Sequence, residues 1–238
     1  MSKRALIIAA LCGVVAGCGG SNDASTTSPA TTTSSSTTTP STTAPAPAPI
    51  TVTIFRVRDG HLVAEVARVQ GTRAVAAASL TALGLPAPVS ISNGTATVQR
   101  ADATPEQVAE IVYTLTQYPS IERVDVAGKT GQTRADVARF LPPILIERPG
   151  AGARTGTTIA VSGSASVFEA TVVLELRQAG KLVQKKVVTA AEGAPGRGPF
   201  SGTLVAPSAG RYVVAAYSPS AMDGSRQHEQ DVPVTVTP

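Results

Sequence analysis

Folded sequence starts at Ile50, where hydrophobic and polar positions begin to alternate. Val52 and Ile54 mark a strand over 51–58, Asp59-Gly60 is a two-residue hairpin signal, and 61–69 returns as a second strand. Residues 72–83 are Ala-rich and helical, with Ala76, Leu80 and Leu83 on one face, Gly84 to close the end and Pro86 to block continuation. Residues 89–91, Asn93-Gly94 and 95–98 read as a second hairpin. A second helix follows. Thr104 is its N-cap, Pro105 falls at N1 and Gln107 at N3, a capping box, and Val108, Ile111, Val112 and Leu115 form one apolar stripe. Tyr118-Pro119 ends it, and Ile121, Val124 and Val126 lie in a further strand closed by Gly128. The order β-β-α-β-β-α-β predicts an α+β domain over 50–129, with its helices on one face of a small sheet.

The period changes after Gly131. Residues 130–143 form a linker, helical through Phe140 and broken by Pro142-Pro143. From Ile144 the helical pattern disappears. Ile159 and Val161 alternate; Phe168, Ala170, Val172, Leu174 and Leu176 face one side of a strand, and Glu169, Thr171, Glu175 and Arg177 the other. Ala179-Gly180 turns the chain into 182–189, a Gly/Pro loop covers 193–199, and strands are expected at 200–205, 211–217 and 232–236, with a turn at Asp223-Gly224. This pattern describes an all-β sandwich over 144–238, with Phe168, Phe200, Tyr212 and Tyr217 in its core.

The N-terminus carries a different pattern. Lys3 and Arg4 precede a short apolar run from Ala5 to Val15, and Val15-Ala16-Gly17-Cys18 resembles the bacterial lipobox. The run is too short for a bilayer span, which needs about 20 residues. Residues 1–17 are thus expected to be a lipoprotein signal peptide, with Cys18 the lipidated residue; the alternative is an ordinary secretory signal with an incidental cysteine. Residues 18–49 are a disordered tether: positions 19–49 hold seven Ser, ten Thr and five Pro with one charge, Asp23. Extended, the tether reaches on the order of 90 Å, and as a coil roughly 30 Å. It is either an O-glycosylated stalk or an unmodified spacer. The expected location is the extracytoplasmic face of the cell membrane, through the lipid anchor.

Composition narrows the function. The 238 residues carry a formal charge of +4, and from Ile50 onward 18 basic residues are interspersed with 15 acidic ones. Nucleic-acid binding, which wants a clustered basic patch, is not expected. Cys12 and Cys18 are the only cysteines, which rules out a disulfide framework and a zinc-finger spacing. Aromatic residues are 3% and Trp is absent, so a face of stacked rings for sugars is not expected.

Two stretches bear a family likeness. Tyr113-Thr114-Leu115-Thr116-Gln117-Tyr118-Pro119-Ser120-Ile121, with Val124, Val126 and Gly128-Lys129, resembles the end of the sporulation and spore-germination (germane, GerM-type) domain. Leu83-Gly84-Leu85-Pro86 approximates that family's leucine-glycine-proline segment. Downstream, Val161-Ser162-Gly163-Ser164-Ala165, Val167-Phe168-Glu169-Ala170, Gly193-Ala194-Pro195, Gly198-Pro199-Phe200, Ser218-Pro219, Asp223-Gly224 and Val232-Pro233-Val234 resemble the immunoglobulin-like domain of bacterial spore germination. The pairing behind a lipobox is typical of bacterial envelope lipoproteins. The resemblance implies binding or assembly, not catalysis.

Little catalytic chemistry is offered by the residues themselves. His61 follows a hairpin turn and His228 lies in the polar run 225–231; both read as solvated loop residues. There is no His-x-x-His and no cysteine ligand set, so no metal is predicted, and no cofactor. Asp223-Gly224-Ser225 is a plain turn rather than a calcium loop. The loop from Gly193 to Gly198 lacks the Lys-Ser/Thr and helix of a phosphate loop, and Arg197 at its tip is the candidate binding residue. Lys181, Lys185 and Lys186 blunt a sheet edge or, alternatively, contact anionic envelope polymers. Asn93-Gly94-Thr95 matches a glycosylation acceptor but is explained by its hairpin. The expectation is a non-enzymatic binding or assembly module for an envelope protein partner. A cell-wall glycan or peptidoglycan ligand is the alternative, and a wall-acting enzyme a further one.

Overall fold

The computed structural model describes residues 47–238. The lipobox cysteine Cys18, the signal segment and most of the tether lie outside them. Strands β1 (Ile50–Arg58) and β2 (His61–Val69) form the first hairpin, turned at Asp59-Gly60 with both residues at positive φ, the geometry of a type I′ turn. Helix α1 is Val75–Ala82, three residues shorter at its start than its pattern predicts. There the Thr72 hydroxyl accepts a hydrogen bond from the Ala74 N–H and holds a turn instead of a helical first residue. The C-terminus is a Schellman motif. Gly84 donates to Thr81 O and Leu85 to Leu80 O, both at 2.9 Å, while Leu80 and Leu85 are buried together.

Strands β3 (Val89–Ser92) and β4 (Thr95–Val98) make the second hairpin. Helix α2 (Pro105–Leu115) begins with the expected capping box: Gln107 N–H donates to Thr104 Oγ1 at 3.3 Å, and Thr104 N–H to Gln107 Oε1 at 3.1 Å. It crosses to β5 (Arg123–Val126), which lies parallel to β4. Ala127-Gly128, both at positive φ, then turns the chain into β6 (Lys129–Gln132).

The N-terminal half therefore holds two sheets where one was expected: the β1-β2 hairpin and the four-stranded order β3-β4-β5-β6. Helix α2 is buried on more than its predicted stripe, since Ala109, Tyr113 and Thr114 join Val108, Ile111, Val112 and Leu115. Its side chains, with Gln117 just past its end, also close the outer edge of β1. Phe55 N–H donates to Thr114 Oγ1 and Val57 N–H to Glu110 Oε1, each at 2.9 Å, and Gln117 Nε2 donates to Thr53 O at 2.7 Å. A helix thus does for this edge what a neighbouring strand would do.

The C-terminal half is a β-sandwich. Its strands are β7 (Ile144–Arg148), β8 (Ala153–Thr155), β9 (Thr158–Ala165), β10 (Thr171–Gln178), β11 (Lys181–Thr189), β12 (Gly198–Val205), β13 (Gly210–Pro219) and β14 (Arg226–Val236). One sheet has the order β12-β9-β7, the other β11-β10-β13-β14-β8. The chain changes sheets between β7 and β8, and β8 pairs parallel with β14. Phe200, Tyr212 and Tyr217 are buried as expected. Phe168 is not: it is 65% exposed, in a short 3₁₀ turn whose Glu169 and Ala170 have positive φ. That turn breaks the alternation, so β10 starts only at Thr171.

Strand β7 serves both halves. Leu145 points into the first hydrophobic core, while Ile144 and Ile146 point into the second. The segment read as a linker contributes β6 and the buried Val137 and Phe140 to the first core. Beside β7, Val66 N–H donates to Ala151 O and Ala151 N–H to Ala64 O, which bonds β2 to the turn after β7. The described residues, 47–238, accordingly belong to one compact unit.

Candidate functional site

The outward face of the three-stranded sheet is only partly covered. The N-terminal half sits over β7, on Leu145 and Glu147. The remaining face, over β9 and β12, is the floor of a cleft of about 730 Å³. Register defines this floor: Ser164 lies opposite Pro199, and Ser162 opposite Ser201, two cross-strand pairs on the same face. Ser162 and Ser164 are half-buried, and Ser201 and Pro199 exposed. Tyr113, Arg134 and Glu147 line one side, Thr189 and Ala191 also line the cleft, and Arg197 reaches in from the loop before β12.

Arg134 joins three elements. Its Nε donates to Thr116 Oγ1 at 3.0 Å, its Nη1 to Glu147 Oε1 and Oε2 at 3.1 and 3.0 Å, and its guanidinium lies 4.5 Å over the Tyr113 ring. The C-terminus of α2 is thereby fixed against β7. Tyr113 also packs edge-on to Phe55, with ring centroids 5.4 Å apart. It is 2% exposed. Burial pushes its phenol up to about 12, with Arg134 and Arg197 pulling it down and Glu147 pushing it up. Its hydroxyl therefore stands among the charges of the cleft, and among the described residues it has no hydrogen-bond partner.

Arg197 is the residue singled out from the sequence, and its guanidinium turns inward rather than standing free at a loop tip. Nη1 donates to Ser164 O at 3.0 Å and Ser164 Oγ at 3.1 Å, while Nη2 donates to Pro142 O and Pro143 O. Burial lowers its pKa, against the opposing pull of Tyr113 and Glu147. An arginine so placed still carries its charge at neutral pH. It closes one end of the cleft and ties the loop to the segment that enters β7.

The other residues raised by the sequence lie elsewhere. His61 begins β2 and His228 sits on β14, both exposed and neither lining the cleft. Lys181, Lys185 and Lys186 are on β11, the edge strand of the larger sheet. Lys185 lies 5.8 Å over the Tyr217 ring. A buried carboxylate, Glu175, had read only as one of the polar residues on the second side of its strand. It is 1% exposed, bound by Arg226 Nη2 at 2.9 Å to both oxygens, by Arg177 Nε at 3.0 Å and by the Tyr217 hydroxyl at 3.1 Å. This network stitches β10, β13 and β14 together on the far sheet.

The floor residues Ser162 and Ser164, and Arg134 and Tyr113 of the wall, carried no signal as binding residues in the sequence. Only strand register and the packing of α2 bring them together. A search of curated proteins finds no match to the chain. The family model of the immunoglobulin-like domain of bacterial spore germination matches residues 143–225, so the sandwich that supplies the cleft floor is similar to that domain.

Proposed function

We propose that the protein is a membrane-anchored, non-enzymatic lipoprotein of the bacterial cell envelope that binds or assembles with a protein partner. In this reading Cys18 carries the lipid on the extracytoplasmic face, and the Ser/Thr/Pro-rich tether presents residues 50–238. The N-terminal half is the GerM-type module that its Thr114–Gln117 motif resembles. The cleft between the halves carries the reading. It is of a size that accommodates a ligand segment, its walls are braced by two arginines, and both oxygens of its one carboxylate, Glu147, accept from Arg134 Nη1. That is a fixed recognition surface rather than a poised acid and base. The tether supports it further, because confinement to one surface raises the effective concentration of a membrane partner.

Two measurements test this. Detergent phase separation should move wild type to the detergent phase and leave Cys18→Ser in the aqueous phase; equal partitioning refutes the anchor. Crosslinking in intact cells should recover a defined membrane protein with the full-length chain. Recovery of peptidoglycan fragments alone, with saturable binding to isolated wall, would replace the protein partner by a glycan.

A further inference from the structure

We infer that the cleft over β9 and β12 is a carboxylate-binding site that takes an extended peptide segment; this rests on the protein-partner reading and names what that partner presents. The floor is two strands wide, roughly 10 Å, which matches a single extended chain. It is made of small residues, Ser162, Ser164, Ser201 and Pro199, so nothing bulky fills it.

The charge of the cleft selects the ligand. Arg134 and Arg197 against Glu147 leave one net positive charge among the lining residues. A monoanion balances it, whereas a phosphate dianion would overshoot. Donors remain to receive that anion: among the described residues neither Arg134 Nη2 nor Arg197 Nε has a partner, and Tyr113, whose ring is buried, lines the cleft with a hydroxyl that no protein group bonds. Planar guanidinium groups and a phenol lining one groove suit a carboxylate.

The same residues argue against a sugar chain. Sugar sites stack rings on open aromatic faces, and neither aromatic residue of the cleft offers one. Arg134 covers Tyr113, and Phe200 is 3% exposed in the sandwich core.

Titration calorimetry on the full chain in detergent micelles tests the site with four probes. They are N-acetyl-Ser-Ala-Ala as free acid, the same peptide as C-terminal amide, N-acetyl-Ala-Asp-Ala amide, and tetra-N-acetylchitotetraose. The free acid should bind saturably and its amide at least about tenfold more weakly. Tighter binding of the aspartyl amide than of the free acid would keep the carboxylate and name an acidic side chain, rather than a chain end, as its source. Tyr113→Phe keeps the ring and should weaken the free acid several-fold. Ser201→Tyr, at an exposed floor position, should leave unfolding unchanged and abolish binding. Equal binding of acid and amide, no peptide binding up to about 10 mM, preferential binding of the oligosaccharide, or unimpaired binding by Ser201→Tyr would each overturn the proposal. If cells expressing Ser201→Tyr still yield the same crosslinked membrane protein as wild type, the partner reading stands and the cleft assignment falls.

Discussion

Thr114→Val isolates the contact by which helix α2 closes the edge of β1. Thr114 is fully buried, and its Oγ1 is the acceptor for the Phe55 N–H at 2.9 Å. Valine has nearly the same shape, so no cavity opens and the cavity penalty of a large-to-small change does not arise. What changes is the acceptor. The Phe55 amide stays buried, on a residue 1% exposed, with nothing to receive its hydrogen. An unsatisfied buried donor costs about 1–3 kcal/mol. With a urea slope of about 2 kcal/mol/M, the unfolding midpoint should fall by roughly 0.5–1.5 M. Urea unfolding followed by far-UV circular dichroism measures the shift, and hydrogen exchange at the Phe55 amide locates it. Thr81→Val is the control: its exposed hydroxyl only donates back to Ala77 O on its own helix, so a change within about 0.5 kcal/mol is expected. If Thr114→Val unfolds at the wild-type midpoint with the Phe55 amide equally protected, side chains of α2 do not hold this edge.

Three further outcomes follow from the same packing. Gly163→Ala should cost about 3 kcal/mol or block folding, because a Cβ there would sit 1.9 Å from Leu145 O and 2.9 Å from Phe200 Cζ; denaturation midpoints measure it, and a neutral result would mean that β7 and β9 can move apart. Glu110→Gln keeps an acceptor for Val57 N–H and should be at least as stable as wild type at neutral pH, while Glu110→Ala should lose about 1–2 kcal/mol. Burial raises the Glu110 carboxyl above its ordinary 4.5, so folding favours its protonated form: that contribution is full below 4.5 and is lost as pH rises through the folded value. The advantage of the Gln variant should therefore shrink on acidification, and stability curves at pH 4 and pH 7 that differ equally would refute this. Phe168→Ser should change stability by no more than about 0.5 kcal/mol, since the ring is 65% exposed; a loss above about 2 kcal/mol in thermal unfolding would place it in a core.

Elements marked by strong local signals were legible in the sequence. The Thr104 capping box, the Asp59-Gly60 and Asn93-Gly94 hairpins and the Leu80–Gly84 helix end all rest on side chains or glycines at fixed offsets. Strand β6 was not legible. The turn into it is Ala127-Gly128, where alanine stands in the left-handed position usually signalled by Asn or Asp, so the chain looked finished at Gly128. The start of β10 was misplaced for a related reason. Apolar Phe168 and Ala170 fit a strand's alternation, while the positive φ of Glu169 and Ala170 breaks it invisibly. Glu175 read only as a residue on the polar side of a strand, because its covering groups, Arg226 and Tyr217, come from β14 and β13, more than 40 positions away. For the candidate site, Arg197 was found by its place in a Gly/Pro loop, but its hydrogen bonds to Ser164 and the proline carbonyls depend on pairing that no local motif encodes.

Strand β7 explains why the cleft exists at all. In 144–147, successive side chains must point to opposite faces, so Ile144 and Ile146 fill the sandwich while Leu145 and Glu147 face the N-terminal half. Leu145 enters that half's core, which draws α2 and its Tyr113 over the β7 side of the sheet. Glu147, two residues on, takes Arg134 and stops the cover there, leaving β9 and β12 open. A shift of one residue in β7 would exchange the two faces and place a carboxylate in the sandwich core, so the register is strongly held. The cover over β7 and its limit at the open face are then set by neighbouring residues of a single strand, Leu145 and Glu147. The N-terminal half meets the sandwich at Leu145, Glu147 and the β2 edge beside Ala151, where Val66 packs against the second core. Its position on the sandwich follows from that register, and with it the placing of Arg134 beside Glu147.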